Sequence, residues 1–175
     1  MLFFTRYLSI FIHHLHKYIH MKYRRLKDSE LEKLEKRFVE FLVSNTITGD
    51  DWAMLKTKNP ERASTLIDIF SEMVFETTIK RIEYLKHRES KEIKLFKCEA
   101  DKIILMGLSA DETVPVDFTV NIDMKELMNH TEGLSIFKQE KEYKPNREIE
   151  LFRMLESGCQ ITDGHLFGIF EKLNS

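Results

Sequence analysis

Asn59 to Arg88 is the stretch that most limits how this chain folds: after Pro60, 28 residues pass without a glycine or another proline. Asn59 suits an N-cap, Pro60 the first helical position, and Glu61 the positive end of a helix dipole. At about 100° per residue, Ala63, Leu66, Ile67, Ile69, Phe70, Met73, Val74, Tyr84 and Leu85 fall within an arc of roughly 160°. Phe75, Ile79 and Ile82 fall on the other side, so the second half is apolar on two faces and has neighbours on both. Acids fill the first half (Glu61, Asp68, Glu72, Glu76) and bases the last turns (Lys80, Arg81, Lys86, His87, Arg88). The stretch therefore predicts one long helix over about 60–88. Its basic end is a candidate anion site, set against plain complementation of the helix dipole.

The other elements follow from shorter signals. Ser29 with Glu32 forms a capping-box pattern before Leu31, Leu34, Phe38, Phe41 and Leu42, giving a helix near 29–44. Thr48 with Asp51 starts another near 49–57 that presents Trp52 and Leu55. Asp50 and Asp51 are adjacent, and neighbouring helical residues point about 100° apart, so they share one ion poorly. Lys91–Glu99 and Lys102–Leu108 read as a hairpin, the second strand being apolar on both faces. Val114–Val120 is read as an edge strand, Asp123–His130 as a short helix and Leu134–Tyr143 as a further strand. Asn146 caps a helix that closes at Gly158, and Thr162 or Asp163 caps a last one carrying Leu166, Phe167, Ile169, Phe170 and Leu173. The fold class is α+β: a small antiparallel sheet, starting with a hairpin at about 91–108, on the long central helix, with further N- and C-terminal helices.

Charge is uneven. Residues 1–27 carry +6 and the rest −8, within a net charge of −2. An acidic body argues against a broad nucleic-acid surface. The local exception is KYRRL, where Lys22, Arg24 and Arg25 are candidates for a phosphate-contacting arm that Lys86, His87 and Arg88 would extend. The alternative is a short tether in which Tyr23 and Leu26 pack and the bases face water. Cys98 and Cys159 lack the spacing of a zinc site, and Cys98 reads as a small buried hydrophobe. Asp163 and His165 stand at a helix start, where free N–H groups bind anions, and Cys159 with His165 is a candidate thiol–imidazole pair. Neither candidate has a third residue to support it. A glycine-rich phosphate loop, GxSxG, HExxH and CxxC are absent from the sequence. No metal, cofactor or catalytic residue is assigned.

Residues 1–20 differ from the rest. They hold four of the seven histidines, and His13, His16, Lys17 and His20 share a helical face suited to a metal or a membrane surface. The segment is too polar at its end for a spanning helix. Met21 leads directly into the folded pattern, so translation is expected to begin there, with residues 1–20 a non-native extension, 21–175 one domain and no membrane attachment.

The segments MKYRRL, FLVSNTITGDDW, RIEYLKHR, LFKCEADKIILMGL and ELFRMLESGCQITDGHLF resemble a family of small uncharacterised proteins from Bacteroidota, a domain of unknown function. The resemblance runs from Met21 to the C-terminus. It implies a cytoplasmic bacterial protein and carries over no catalytic residue. The leading expectation is a non-enzymatic protein-interaction or regulatory module with an unidentified protein partner. The alternatives are RNA or nucleotide binding through Lys22, Arg24 and Arg25, and a small enzyme near Cys159–His165.

Overall fold

The computed structural model describes residues 21–120, 127 and 132–173. Residues 1–20, with their histidine face, lie outside the described residues, as does the segment read as a helix over 123–130 except Leu127, which is buried. The chain is α+β and forms two compact units that divide between Thr77 and Thr78. Among the described residues no helix is long and apolar enough to cross a membrane.

The first unit is helical. It contains α1 (Asp28–Lys33), α2 (Glu35–Ser44), α3 (Gly49–Lys58) and most of α4 (Pro60–Lys80). Its core gathers Leu26, Phe41, Leu42, Ile47, Leu66, Phe70 and Val74. Phe70 is fully buried and meets Phe38 edge-on at 5.0 Å, while Phe38 in turn meets Trp52 at 5.2 Å. Trp52 is therefore a packing residue, as its helical position implies. The Thr48 cap holds: its Oγ1 accepts from Asp51 N at 3.2 Å and Thr48 N donates to the Asp51 carboxylate at 3.0 Å. Asn59 also caps, its Oδ1 accepting from Arg62 N at 3.1 Å.

The helix expected near 29–44 differs in two ways. It breaks at Leu34 into α1 and α2, and it starts at Asp28 with Lys27 as the N-cap residue. The Glu30 carboxylate accepts from Lys27 N at 2.7 Å, so Glu30 rather than Glu32 closes the first turn. Arg24 fixes that carboxylate from the other side, at 2.7 and 2.8 Å, which selects this cap over the Ser29 alternative.

The second unit is built on a five-stranded antiparallel sheet. Its strands are β1 (Tyr84–Arg88), β2 (Glu92–Cys98), β3 (Lys102–Ala110), β4 (Leu134–Glu142) and β5 (Gln160–Thr162), in the order β4-β3-β2-β1-β5. Its described residues also form the helices α5 (Arg147–Glu156) and α6 (His165–Leu173). Register assigns the faces. Ile93 lies opposite Leu108 and Leu95 opposite Met106; these four form one core with Phe167 and Phe170 of α6. The other face carries Leu85, Phe96, Cys98 and Ile103, and there Lys141 of β4 reaches Glu150 of α5. β3 is buried along most of its length, as its unbroken apolar sequence requires. Asn146 caps α5 through Ile149 N at 3.0 Å, and Gly158 takes the expected left-handed conformation at φ +97°.

Two expectations fail here, each for a physical reason. The long helix ends at Lys80, not near 88, and Tyr84–Arg88 is a strand hydrogen-bonded on both sides, to β2 and to β5. The last turn tightens to i→i+3 bonds, Arg81 N to Thr78 O at 3.1 Å and Ile82 N to Ile79 O at 3.2 Å. The chain supplies no local stop; pairing with the neighbouring strand β2 on one side and the distant strand β5 on the other overrides a good helical pattern. The segment 114–120 is not a strand. Asp111 and Asp117 each accept from the backbone N–H two residues on, both at 2.9 Å, and these side-chain turns compete with a ladder.

Candidate functional site

The basic segment is bound inward along α4. Arg24 forms a two-pronged pair with Glu30, and its guanidinium lies 5.1 Å from the centre of the Phe75 ring. Arg25 donates from Nε to Asp68 at 2.6 Å and from Nη2 to Ser64 Oγ at 2.6 Å. Lys22 pairs with Glu76 at 3.1 Å, and the Tyr23 hydroxyl donates to the same carboxylate at 2.8 Å. Tyr23 and Leu26 are buried, and Leu26 N donates to the Ser71 hydroxyl at 3.1 Å. This is the tether geometry, with the addition that its bases find acids rather than only water. Arg24 is the main influence on Glu30, whose carboxyl falls from its ordinary 4.5 to about 2.

Lys86, His87 and Arg88 do not form one patch. A strand alternates its side chains, so Lys86 and Arg88 share a face with Leu95 and Ile93, while His87 points to the other, opposite Lys94. His87 Nδ1 is 3.6 Å from Glu89. Arg88 donates from Nη1 to Val120 O at 3.3 Å, and its buried Nε has no hydrogen-bond partner among the described residues.

At the start of α6, Asp163 Oδ1 accepts from His165 N at 3.0 Å. That backbone bond is the main reason the Asp163 carboxyl sits below its ordinary range. Asp163 thus caps the helix, and the His165 side chain is exposed. Gly164 between them has φ +80°, and an added Cβ would stand 2.5 Å from the Tyr84 ring. Only glycine allows this turn to close over Tyr84. Cys159 precedes β5, whose Ile161 lies opposite Leu85 on the face away from α6. His165 opens the helix on the other face, so the two are not brought together. Burial raises the Cys159 thiol, against a small opposite pull from Lys94, and burial pushes Cys98 up to about 12. Both are free thiols, held away from the thiolate form at neutral pH. Among the described residues no three His, Cys, Asp or Glu side chains gather as a metal would require.

The residue with the most demanding polar surroundings is one the sequence did not single out. Arg147, at the start of α5, donates to Ile79 O at 3.2 Å, Ile82 O at 2.5 Å, Cys98 O at 3.4 Å and Glu99 O at 3.1 Å. The Tyr143 hydroxyl joins at Glu99 O, 2.8 Å away. One guanidinium therefore satisfies carbonyls left open at the end of α4 and at the β2–β3 turn. Beside it Glu150, 8% exposed, accepts from Lys141 Nζ and from Lys144 N at 2.7 Å. Burial pushes the Glu150 carboxyl up, but these two donors outweigh it and leave it below its ordinary range. No motif signals Arg147, because its partners are backbone atoms 48 to 68 residues distant.

Residues 21–175 match a family of unknown function, DUF6495. The chain belongs to that family. No curated protein and no solved structure gives a significant match. For this DUF6495 member the site must therefore be read from its own geometry. Among the described residues, that geometry leaves the two edges of the sheet, β4 and β5, without a further strand partner. β4 is a nine-residue strand at the sheet edge, and Lys138 to Glu142 are exposed along it. The opposite edge, β5, is only three residues long.

Proposed function

We propose that this DUF6495 chain is a non-enzymatic interaction module that binds another polypeptide along strand β4. The observation that carries the reading is the length and exposure of that edge. A terminal strand leaves alternate N–H and C=O groups directed outward, and an extended segment completes the ladder by strand addition. The candidate chemical groups support the same reading by what they already do. Arg24 and Arg25 hold acids, Asp163 caps a helix, and both thiols are kept protonated by burial. We assign the protein to the cytoplasm of a bacterium of the Bacteroidota, on the sequence resemblance and the unpaired cysteines.

Proline scanning tests this. Gln139→Pro and Glu140→Pro each remove one backbone N–H, one facing β3 and the other facing outward. The variant that keeps its unfolding temperature is the one blocked at the open edge. In extract of the native cell, the unaltered chain is expected to elute above its own mass and the edge-blocked chain to elute smaller. Identical elution of the two defeats the reading.

A further inference from the structure

We infer that the polypeptide added at β4 is a second copy of this chain, paired antiparallel about Gln139. The inference rests on β4 being the interaction surface and names the partner.

A two-fold axis normal to the sheet sets two β4 strands antiparallel and keeps each face of the sheet continuous across the join. Such a pair is centred on a residue that meets itself. The exposed run offers five centres: Lys138, Gln139, Glu140, Lys141 and Glu142. Four of them set a charge directly against its own copy, which opposes pairing. Gln139 is the exception, and its amide can both donate to and accept from its symmetry mate.

The rest of the register follows from that centre. Lys138 stands opposite Glu140 of the second copy, and Glu140 opposite its Lys138, on the face that carries Met106 and Ile104. Phe137 stands opposite Lys141 of the second copy on the other face, where the lysine methylenes can lie along the ring while the ammonium stays on Glu150. Ile136 meets Glu142, whose methylenes cover it. No like charges are directly opposed anywhere from Ile136 to Glu142. Glu140 keeps its bond to Lys102 at 2.8 Å on the β3 side, so the new pair extends an existing charge ladder. One strand per subunit is a small contact, so the dimer forms by a concentration-dependent equilibrium.

Sedimentation of the purified protein over a concentration series is the test. The unaltered chain is expected to move from monomer toward twice 20.9 kDa as concentration rises. Lys138→Glu and Glu140→Lys each turn two attractive pairs into two repulsive ones and are expected to weaken association by about tenfold. The double exchange Lys138→Glu with Glu140→Lys restores opposite charges and is expected to recover most of that loss. Gln139→Lys places a charge on the axis without touching the Lys102–Glu140 pair, and is also expected to weaken association. Thermal unfolding of each variant confirms that a folded chain is being measured. A chain that stays monomeric to about 1 mM, or a dimer indifferent to these single exchanges, overturns the inference. If the pure chain is monomeric while the edge-blocked variant still elutes smaller in extract, self-pairing is overturned and the interaction reading stands with a different partner. If neither pure chain nor extract depends on β4, both fall.

Discussion

The Lys22–Arg25 tether and the Arg147 clamp use the same kind of side chain for opposite purposes. In the tether, Arg24 and Arg25 meet carboxylates that are themselves partly exposed; Arg25 is 42% and Asp68 24% accessible at the side chain. In the clamp, Arg147 meets backbone carbonyls at a helix end and a hairpin turn. A carboxylate partner can be screened by salt and protonated by acid. A carbonyl partner can be neither. The two regions should therefore fail under different conditions, although both are arginine contacts of similar length.

The largest expected effect breaks the clamp. Arg147→Ala leaves the carbonyls of Ile79, Ile82, Cys98 and Glu99 short of a donor and is expected to cost about 3 kcal/mol in denaturant unfolding. Arg147→Lys should recover less than half of this, because a single ammonium cannot fan across four acceptors. Full recovery by lysine would show that charge rather than geometry matters there.

Glu150 sharpens the comparison, because it is a carboxylate placed beside the clamp. Its folded-state carboxyl is held below the ordinary range, so it contributes stability above its unfolded value and loses that contribution as pH falls through the lower folded value. Glu150→Gln is expected to cost about 1 kcal/mol near neutrality, and the difference from the unaltered chain should shrink in acid. Arg147→Ala should show no such convergence. Parallel behaviour of the two variants with pH would show that carboxylate and carbonyl partners respond alike to acid.

Smaller effects belong to the tether. Arg25→Ala is expected to cost at most about 1 kcal/mol, and less again in molar salt. The pH dependence at Arg24 is finer still. Glu30 titrates at about 2 when paired and at 4.5 ordinarily. A depressed carboxyl stabilises above its unfolded value and loses this as pH falls toward the folded one. The stability gap between the unaltered chain and Arg24→Ala is therefore expected to close between 4.5 and about 2. A gap that stays constant over that window would mean the Phe75 contact, not the ion pair, is what Arg24 supplies.

What could be read from the chain depended on the range of the interaction. Thr48 with Asp51, Asn59, Asn146 and Gly158 were legible because each acts on backbone within a few residues. The β2–β3 hairpin was legible from its two short apolar runs and the short turn between them. The bases of the candidate site were also visible, but not their partners. Nothing near Arg25 indicates that Asp68 receives it, and nothing near Arg88 indicates that its side chain and that of His87 leave the strand on opposite faces.

By itself the sequence determined the α+β class, the caps at Thr48, Asn59 and Asn146, the hairpin and the helical identity of Pro60–Lys80, because each rests on periodicity or on a bond to a nearby backbone group. The tertiary structure alone decided where that helix stops, that Tyr84–Arg88 becomes a strand between β2 and β5, and that β4 is left at an edge. Helix and strand compete closely for a stretch such as Ile82 to Arg88, which carries neither glycine nor proline to settle the matter. Two ladders of backbone bonds and the carbonyl bonds from Arg147 tip that balance; the β2 ladder is a neighbouring hairpin, while β5 and Arg147 come from residues distant in the chain.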